Sequence, residues 1–125
     1  MVTGSWEPAG ALNPAEEIPR FLAAAANDPV AVGLAPDEQK RLGGLMKLDA
    51  AAWAFAEQLT DEEVVTLIRF FTRAEMELPG WEAGKRSPVI PLVKILKSRD
   101  GFGADLRKWI KSNTDNRYLP NGSVL

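Results

Sequence analysis

The chain contains no histidine and no cysteine. That double absence removes Ser-His-Asp and Cys-His nucleophiles, histidine-bound metals, the usual zinc sites and every disulfide. Acid or base chemistry would fall to carboxylates, lysine or tyrosine, and two carboxylates hold unusual positions. Projected at about 100° per residue, Asp49 falls inside an apolar stripe between Met46 and Trp53, and Glu75 falls inside another between Phe71 and Leu78. A carboxylate on an apolar face must be paired, hydrogen-bonded or protonated, because burying the bare charge is costly. If the two helices form an antiparallel hairpin about Leu59-Thr60, Glu75 is displaced from the level of Asp49 by one helical turn, ~5–6 Å along the axis. The pair then has two readings. Structurally, each carboxylate meets an arginine, lysine or tryptophan N–H from the C-terminal part and fixes how the helices dock. Functionally, the two form an acid/base pair or a hard-cation site. The Glu-x-x-His elements of a di-iron bundle are missing, as are Gly-x-Gly-x-x-Gly, phosphate-loop and calcium-loop patterns. No catalytic residue, metal ligand or cofactor is therefore assigned, and a non-enzyme is the expectation.

The second concentration of chemistry is charge. Residues 1–80 hold six Lys/Arg against thirteen Asp/Glu, and residues 81–125 hold nine against four, so the two parts carry −7 and +5. The basic set is Lys85, Arg86, Lys94, Lys97, Arg99, Arg107, Lys108, Lys111 and Arg117, interleaved with Trp81, Trp109 and Tyr118. Three uses of such a set differ in what they bind. It can complement the acidic helices internally, at a fraction of a kcal/mol per exposed pair. It can attract an anionic partner, either an acidic protein surface or nucleic acid. It can drive head-to-tail self-association into a homo-oligomer. A helix near Pro91–Ser98, a glycine-containing turn and a helix with Arg107, Lys108 and Lys111 opposite its apolar side make a helix-turn-helix outline. The sequence pI of about 5.2 argues against nonspecific nucleic-acid binding. Trp81, after Pro79-Gly80, is either an exposed binding anchor or a cap on the core, and Ser123-Val124-Leu125 has the hydroxyl/apolar ending read by strand-adding domains.

The elements that position these residues follow from capping and periodicity. Pro19 predicts a helix start, with Phe21, Leu22 and Ala25 on its apolar side, ended by Asn27-Asp28-Pro29. A second helix is expected from Pro36 to about Leu59, with Gly43-Gly44 as a kink or split. Thr60-Asp61-Glu62-Glu63 is a capping box that starts a third, central helix, stopped by Pro79-Gly80. Ser87-Pro88 resembles a cap and first turn, although Pro91 pushes the expected regular start to about its own position. A last helix covers Ala104 to Ser112, followed by coil with a turn at Asn121-Gly122.

These elements predict an all-α fold, a compact bundle of four to five helices with a coil C-terminal tail, built from an N-terminal arm (1–13) and one helical domain (14–125). With 46% hydrophobic and 26% charged residues, 125 residues suit one core. Neither a signal-peptide pattern nor a membrane span of roughly 20 apolar residues is present, so cytoplasmic residence with no membrane partner is expected. The preferred function is a non-catalytic protein–protein interaction module, adaptor or regulatory, that uses Trp81, Lys85, Arg86, Arg107, Lys108, Lys111, Arg117 and Tyr118 against an acidic protein surface. Nucleic-acid binding through the last helix, and a carboxylate enzyme built on Asp49 and Glu75, are the alternatives.

Overall fold

The structure, a computed structural model, describes residues 13–121. The expected arm, apart from Asn13, and the Ser123-Val124-Leu125 ending lie outside the described residues. Within them the protein is all-α, with five α-helices joined by turns and 3₁₀ segments and no strand. No helix there is long and apolar enough to cross a membrane.

Helix α1 spans Pro14–Ala24 and so begins five residues before the expected start at Pro19. Asn13 supplies the reason: its Oδ1 accepts from the Ala15 N–H at 3.0 Å, and Pro14 takes the first-turn place where a missing N–H costs nothing. Pro19 is accommodated inside the helix on its exposed side. The opposite side buries Ile18, Phe21 and Ala24.

The expected long second helix is broken twice. Helix α2 covers only Pro36–Leu42, a 3₁₀ segment follows over Gly43–Lys47, and Leu48 and Asp49 are extended (ψ 155° and 175°) before a 3₁₀ run over Ala50–Gln58. Gly43-Gly44 weakens the helix locally, and a packing contact uses the break. A Cβ on Gly43 would lie 3.0 Å from the Trp81 indole nitrogen, so the missing side chain leaves room for that ring. In the 3₁₀ run, Trp53 and Ala56 are both fully buried, as a three-residue turn that stacks i on i+3 requires. The Trp53 indole N–H has no hydrogen-bond partner, unlike every other buried side-chain polar atom among the described residues.

Helix α3, Asp61–Glu77, is central and starts on the expected capping box. Thr60 Oγ1 accepts from the Glu63 N–H at 3.1 Å, and the Glu63 carboxylate accepts from the Thr60 N–H at 2.9 Å. It packs against α1 and α4. Phe70 and Phe71 join Phe21, Trp53 and Trp81 in an aromatic cluster whose linked ring centroids lie 5.1–6.2 Å apart, with mostly edge-on geometry. Two ion pairs brace the surrounding elements. Arg20 grips Glu38 through two 2.6 Å bonds, holding the Glu38 carboxyl down at about 2, and Arg73 reaches Asp28 at 2.8 Å.

Helix α4 spans Val89–Ser98, starting two residues before Pro91. Pro91 fits because the N–H groups of a first turn have no intrahelical acceptor anyway. The helix ends with Gly101 N–H donating to Leu96 O at 2.7 Å and Asp100 N–H to Lys97 O at 3.1 Å, around an Asp100 in the left-handed region (φ 57°). Helix α5, Ala104–Ser112, turns Leu106 and Ile110 inward. The chain then crosses back over the body, where Leu119 and Pro120 are buried. The expected coil is therefore a strap laid on the core.

Candidate functional site

Helix α5 carries the most concentrated of the expected binding residues. At about 100° per residue, Arg107, Lys108 and Lys111 fall within one arc. All three are exposed, and Leu106 and Ile110 occupy the opposite side. Asn116 Nδ2 donates to Gly84 O at 2.9 Å, which ties the strap carrying the exposed Arg117 and the half-buried Tyr118 to the 84–86 turn carrying the exposed Lys85 and Arg86, although Lys85 and Arg86 line a different cleft from Arg117 and Tyr118. Of the nine Lys/Arg in residues 81–125, Arg99 alone forms an ion pair among the described residues, with Asp61 at 2.8 Å. Arg86 donates instead to Lys47 O, and Lys97 lies over the Phe102 ring. Internal neutralisation of this basic set is therefore slight.

Two expectations are corrected here. Trp81 is fully buried and is no surface anchor. Pro79 and Gly80 form a tight turn closed by Trp81 N–H to Leu78 O at 3.2 Å, with Gly80 at φ 84°. That turn drops the indole beneath α2, where its N–H donates to Gln39 O at 2.8 Å. Asp49 is exposed and is no buried carboxylate. The helical projection that placed it on an apolar face fails because the chain is extended at Leu48 and Asp49. Asp49 lines a surface cleft with Lys85 and Arg86, whereas Glu75 lines another, so the two do not form a pair.

Glu75 does point inward, with only 4% of its surface exposed. Its partners are neutral, in place of the expected cation or tryptophan N–H. One carboxylate oxygen accepts from the Ala83 N–H and from Asn116 Nδ2, each at 3.3 Å, and the other takes a short hydrogen bond from the Ser87 hydroxyl. Ser87 is itself fully buried, and its Oγ accepts from the Val89 N–H at 3.2 Å. Glu75 thereby ties α3 to the 83–87 turn, the start of α4 and the strap. Burial pushes its carboxyl above the ordinary value of 4.5, with a smaller push from Glu82, against the three donors that favour the charge.

Glu75 also forms the floor of a cleft of about 310 Å³ between the end of α3 and the strap, with Met76, Glu82, Asp115, Arg117 and Tyr118 around it. The sequence reading missed this cleft along with Ser87 and Asn116 as its supports. Ser87 was visible only as a helix cap, and Asn116 lies in a segment with no periodicity to mark an inward residue. Among the described residues, no group of three or more Asp, Glu, His or Cys side chains is placed to hold a metal ion. No family model, curated protein or solved structure matches the chain.

Proposed function

We propose that this protein is a non-catalytic interaction module, adaptor or regulatory, that docks an acidic protein surface on its basic C-terminal residues. The observation that supports this is that, among the described residues, the basic set forms a single ion pair, which leaves its field directed outward. An acidic protein is favoured over nucleic acid because the whole chain is acidic, with a net charge of −2; its −7 part would repel a long polyanion beyond the contact itself. Cytoplasmic residence belongs to the same proposal and rests on the cysteine-free composition.

The test uses the full chain as bait in a nuclease-treated extract at low and moderate salt, beside the triple variant Arg107→Ala/Lys108→Ala/Lys111→Ala. All three positions are exposed, so each substitution is expected to change stability by less than about 0.5 kcal/mol. The expected result is an acidic protein retained at low salt, weakened by salt and released by the triple variant with unchanged helix content. Equal retention by the triple variant, or no acidic protein retained from the nuclease-treated extract at low salt, would overturn the proposal. A salt-sensitive dimer of the chain alone in sedimentation would replace the foreign partner with a second copy.

A further inference from the structure

Asn121-Gly122 is the one asparagine-glycine step of the chain, and the fold sets a lysine ammonium against the asparagine. Lys97 Nζ, from α4, donates to Asn121 Oδ1. We propose that Asn121 is a site of self-modification, an amide that cyclises onto the Gly122 backbone nitrogen and opens to isoaspartate and aspartate, with Lys97 promoting the attack. Both Asn121 and Lys97 are exposed to the water that the reaction consumes. Leu119 and Pro120, buried just before Asn121, fix where its amide is presented. The Lys97 ammonium also lies 5.7 Å from the Phe102 ring centroid, a cation–π contact that helps to hold it there.

The reaction balances with water as its co-reactant. Base removes the Gly122 N–H proton, and the nitrogen attacks Cγ of Asn121. The new N–Cγ bond closes a succinimide as the Cγ–Nδ2 bond breaks, and Nδ2 takes up a proton and leaves as ammonia. Water then adds to one of the two ring carbonyls. That carbonyl–nitrogen bond breaks, the nitrogen regains its proton, and a carboxylate remains. Opening at Cγ gives aspartate, and opening at the main-chain carbonyl gives isoaspartate. Glycine suits the attack because it has no side chain to crowd the nitrogen or restrict the backbone. The ammonium suits it because negative charge builds on Oδ1 while Cγ is tetrahedral, and a donor already in place stabilises that charge. None of the other four asparagines precedes glycine. Each of them is instead tied to the backbone: Asn13 accepts from the Ala15 N–H, and Asn27, Asn113 and Asn116 donate to main-chain carbonyls. The product sets a carboxylate against Lys97, so residues 81–125 then hold nine Lys/Arg against five Asp/Glu in place of four. The basic part thus loses charge at one defined point as the protein ages, whether or not it docks a partner.

The experiment ages the full chain at mildly alkaline pH and follows two tryptic peptides by mass spectrometry. Tyr118–Leu125 carries Asn121, and Ser112–Arg117 carries Asn113 and Asn116 as the internal reference. Tyr118–Leu125 is expected to be the first to gain the mass of NH₂ replaced by OH, in two chromatographically distinct forms, isoaspartate and aspartate. Gly122→Val is expected to suppress the gain by crowding the attacking nitrogen. Lys97→Ala, at an exposed position, is expected to slow it by about threefold or more. That is a small share of the roughly 10²–10³-fold that an enclosed oxyanion donor is worth, because this contact meets water. Lys97→Arg keeps a donor and should restore most of the rate. Equal modification of Ser112–Arg117, or aspartate as the sole product, overturns the site, since direct hydrolysis of the amide leaves no isoaspartate. An unchanged or faster rate in folded Lys97→Ala overturns the part given to Lys97.

Discussion

Replacing Glu75 with glutamine tests the account of the buried carboxyl directly. Glutamine keeps the shape: its carbonyl oxygen can accept from the Ala83 N–H and from Asn116 Nδ2 as one carboxylate oxygen does now, and its NH₂ can donate to the Ser87 hydroxyl. What changes is titration. The native carboxyl is raised above 4.5, chiefly by burial. Well below that value both native and unfolded chains hold the proton, and Glu75 adds no pH dependence. Between the unfolded and native values the unfolded chain has released its proton while the native state keeps it, so wild-type stability falls as pH rises. The slope from this group approaches about 1.36 kcal/mol per pH unit and levels off above the native value. Glu75→Gln lacks that loss, so it should gain on the wild type with rising pH through this window. Urea unfolding of both proteins in steps from about pH 4 to 9 reads the difference, and other titrating groups cancel in it. A difference that stays flat would show that the Ser87, Ala83 and Asn116 donors balance desolvation, and a wild type that gains on the variant as pH rises would show that they outweigh it. Either result refutes the reasoning. Glu75→Ala serves as the contrast, because it orphans the buried Ser87 hydroxyl at a cost of about 1–3 kcal/mol before any cavity is counted.

Three further outcomes follow from single positions. Trp81→Ala should destabilise the protein by about 3–5 kcal/mol in denaturant titration, and partner capture should survive wherever the variant remains folded; a stable variant that loses capture would restore Trp81 as an anchor. Asp100→Gly should raise stability by about 0.5–1 kcal/mol, visible as a higher Tm, because φ 57° at the end of α4 suits glycine better than aspartate. Gly33→Ala should cost about 1–3 kcal/mol or more, since its Cβ would lie 2.8 Å from the Ala24 backbone and 2.5 Å from the Asn27 amide nitrogen; a neutral result would mean the Val30–Gly33 turn shifts freely.

Local chemistry was legible wherever neighbours in sequence are neighbours in space. The Thr60/Glu63 box, the central apolar helix after it, the exposed Arg107, Lys108 and Lys111 side and the all-α class all depend on groups within about one helical turn of each other. The inward position of Glu75 was legible for the same reason, because α3 is regular from Asp61 to Glu77 and the projection holds along it. The projection failed for Asp49 because it presumed an unbroken helix from Pro36 to Leu59. Gly43-Gly44 marked the first break, but nothing local marked the extended pair Leu48-Asp49.

The partners of these residues were decided only in three dimensions. Trp81 after Pro79-Gly80 suits either a surface anchor or a core cap, and the choice is made by Gly43, 38 positions earlier, whose missing side chain admits the indole, and by Gln39, whose carbonyl accepts its N–H. The neutral partners of Glu75 come from Ala83, Ser87 and Asn116, the last 41 residues away in a strap without periodicity. Which basic residues remain unpaired likewise depends on how α4 and α5 settle against the acidic helices, and among the described residues Arg99 alone of the basic set forms an ion pair. Charge, caps and helical periodicity are properties of short segments, so the two acidic and basic parts and the carboxyl at position 75 were determined by the sequence directly. The cleft above that carboxyl exists only where α3, the 82–84 turn and the strap converge, and long-range packing of Leu119 and Asn116 brings them together.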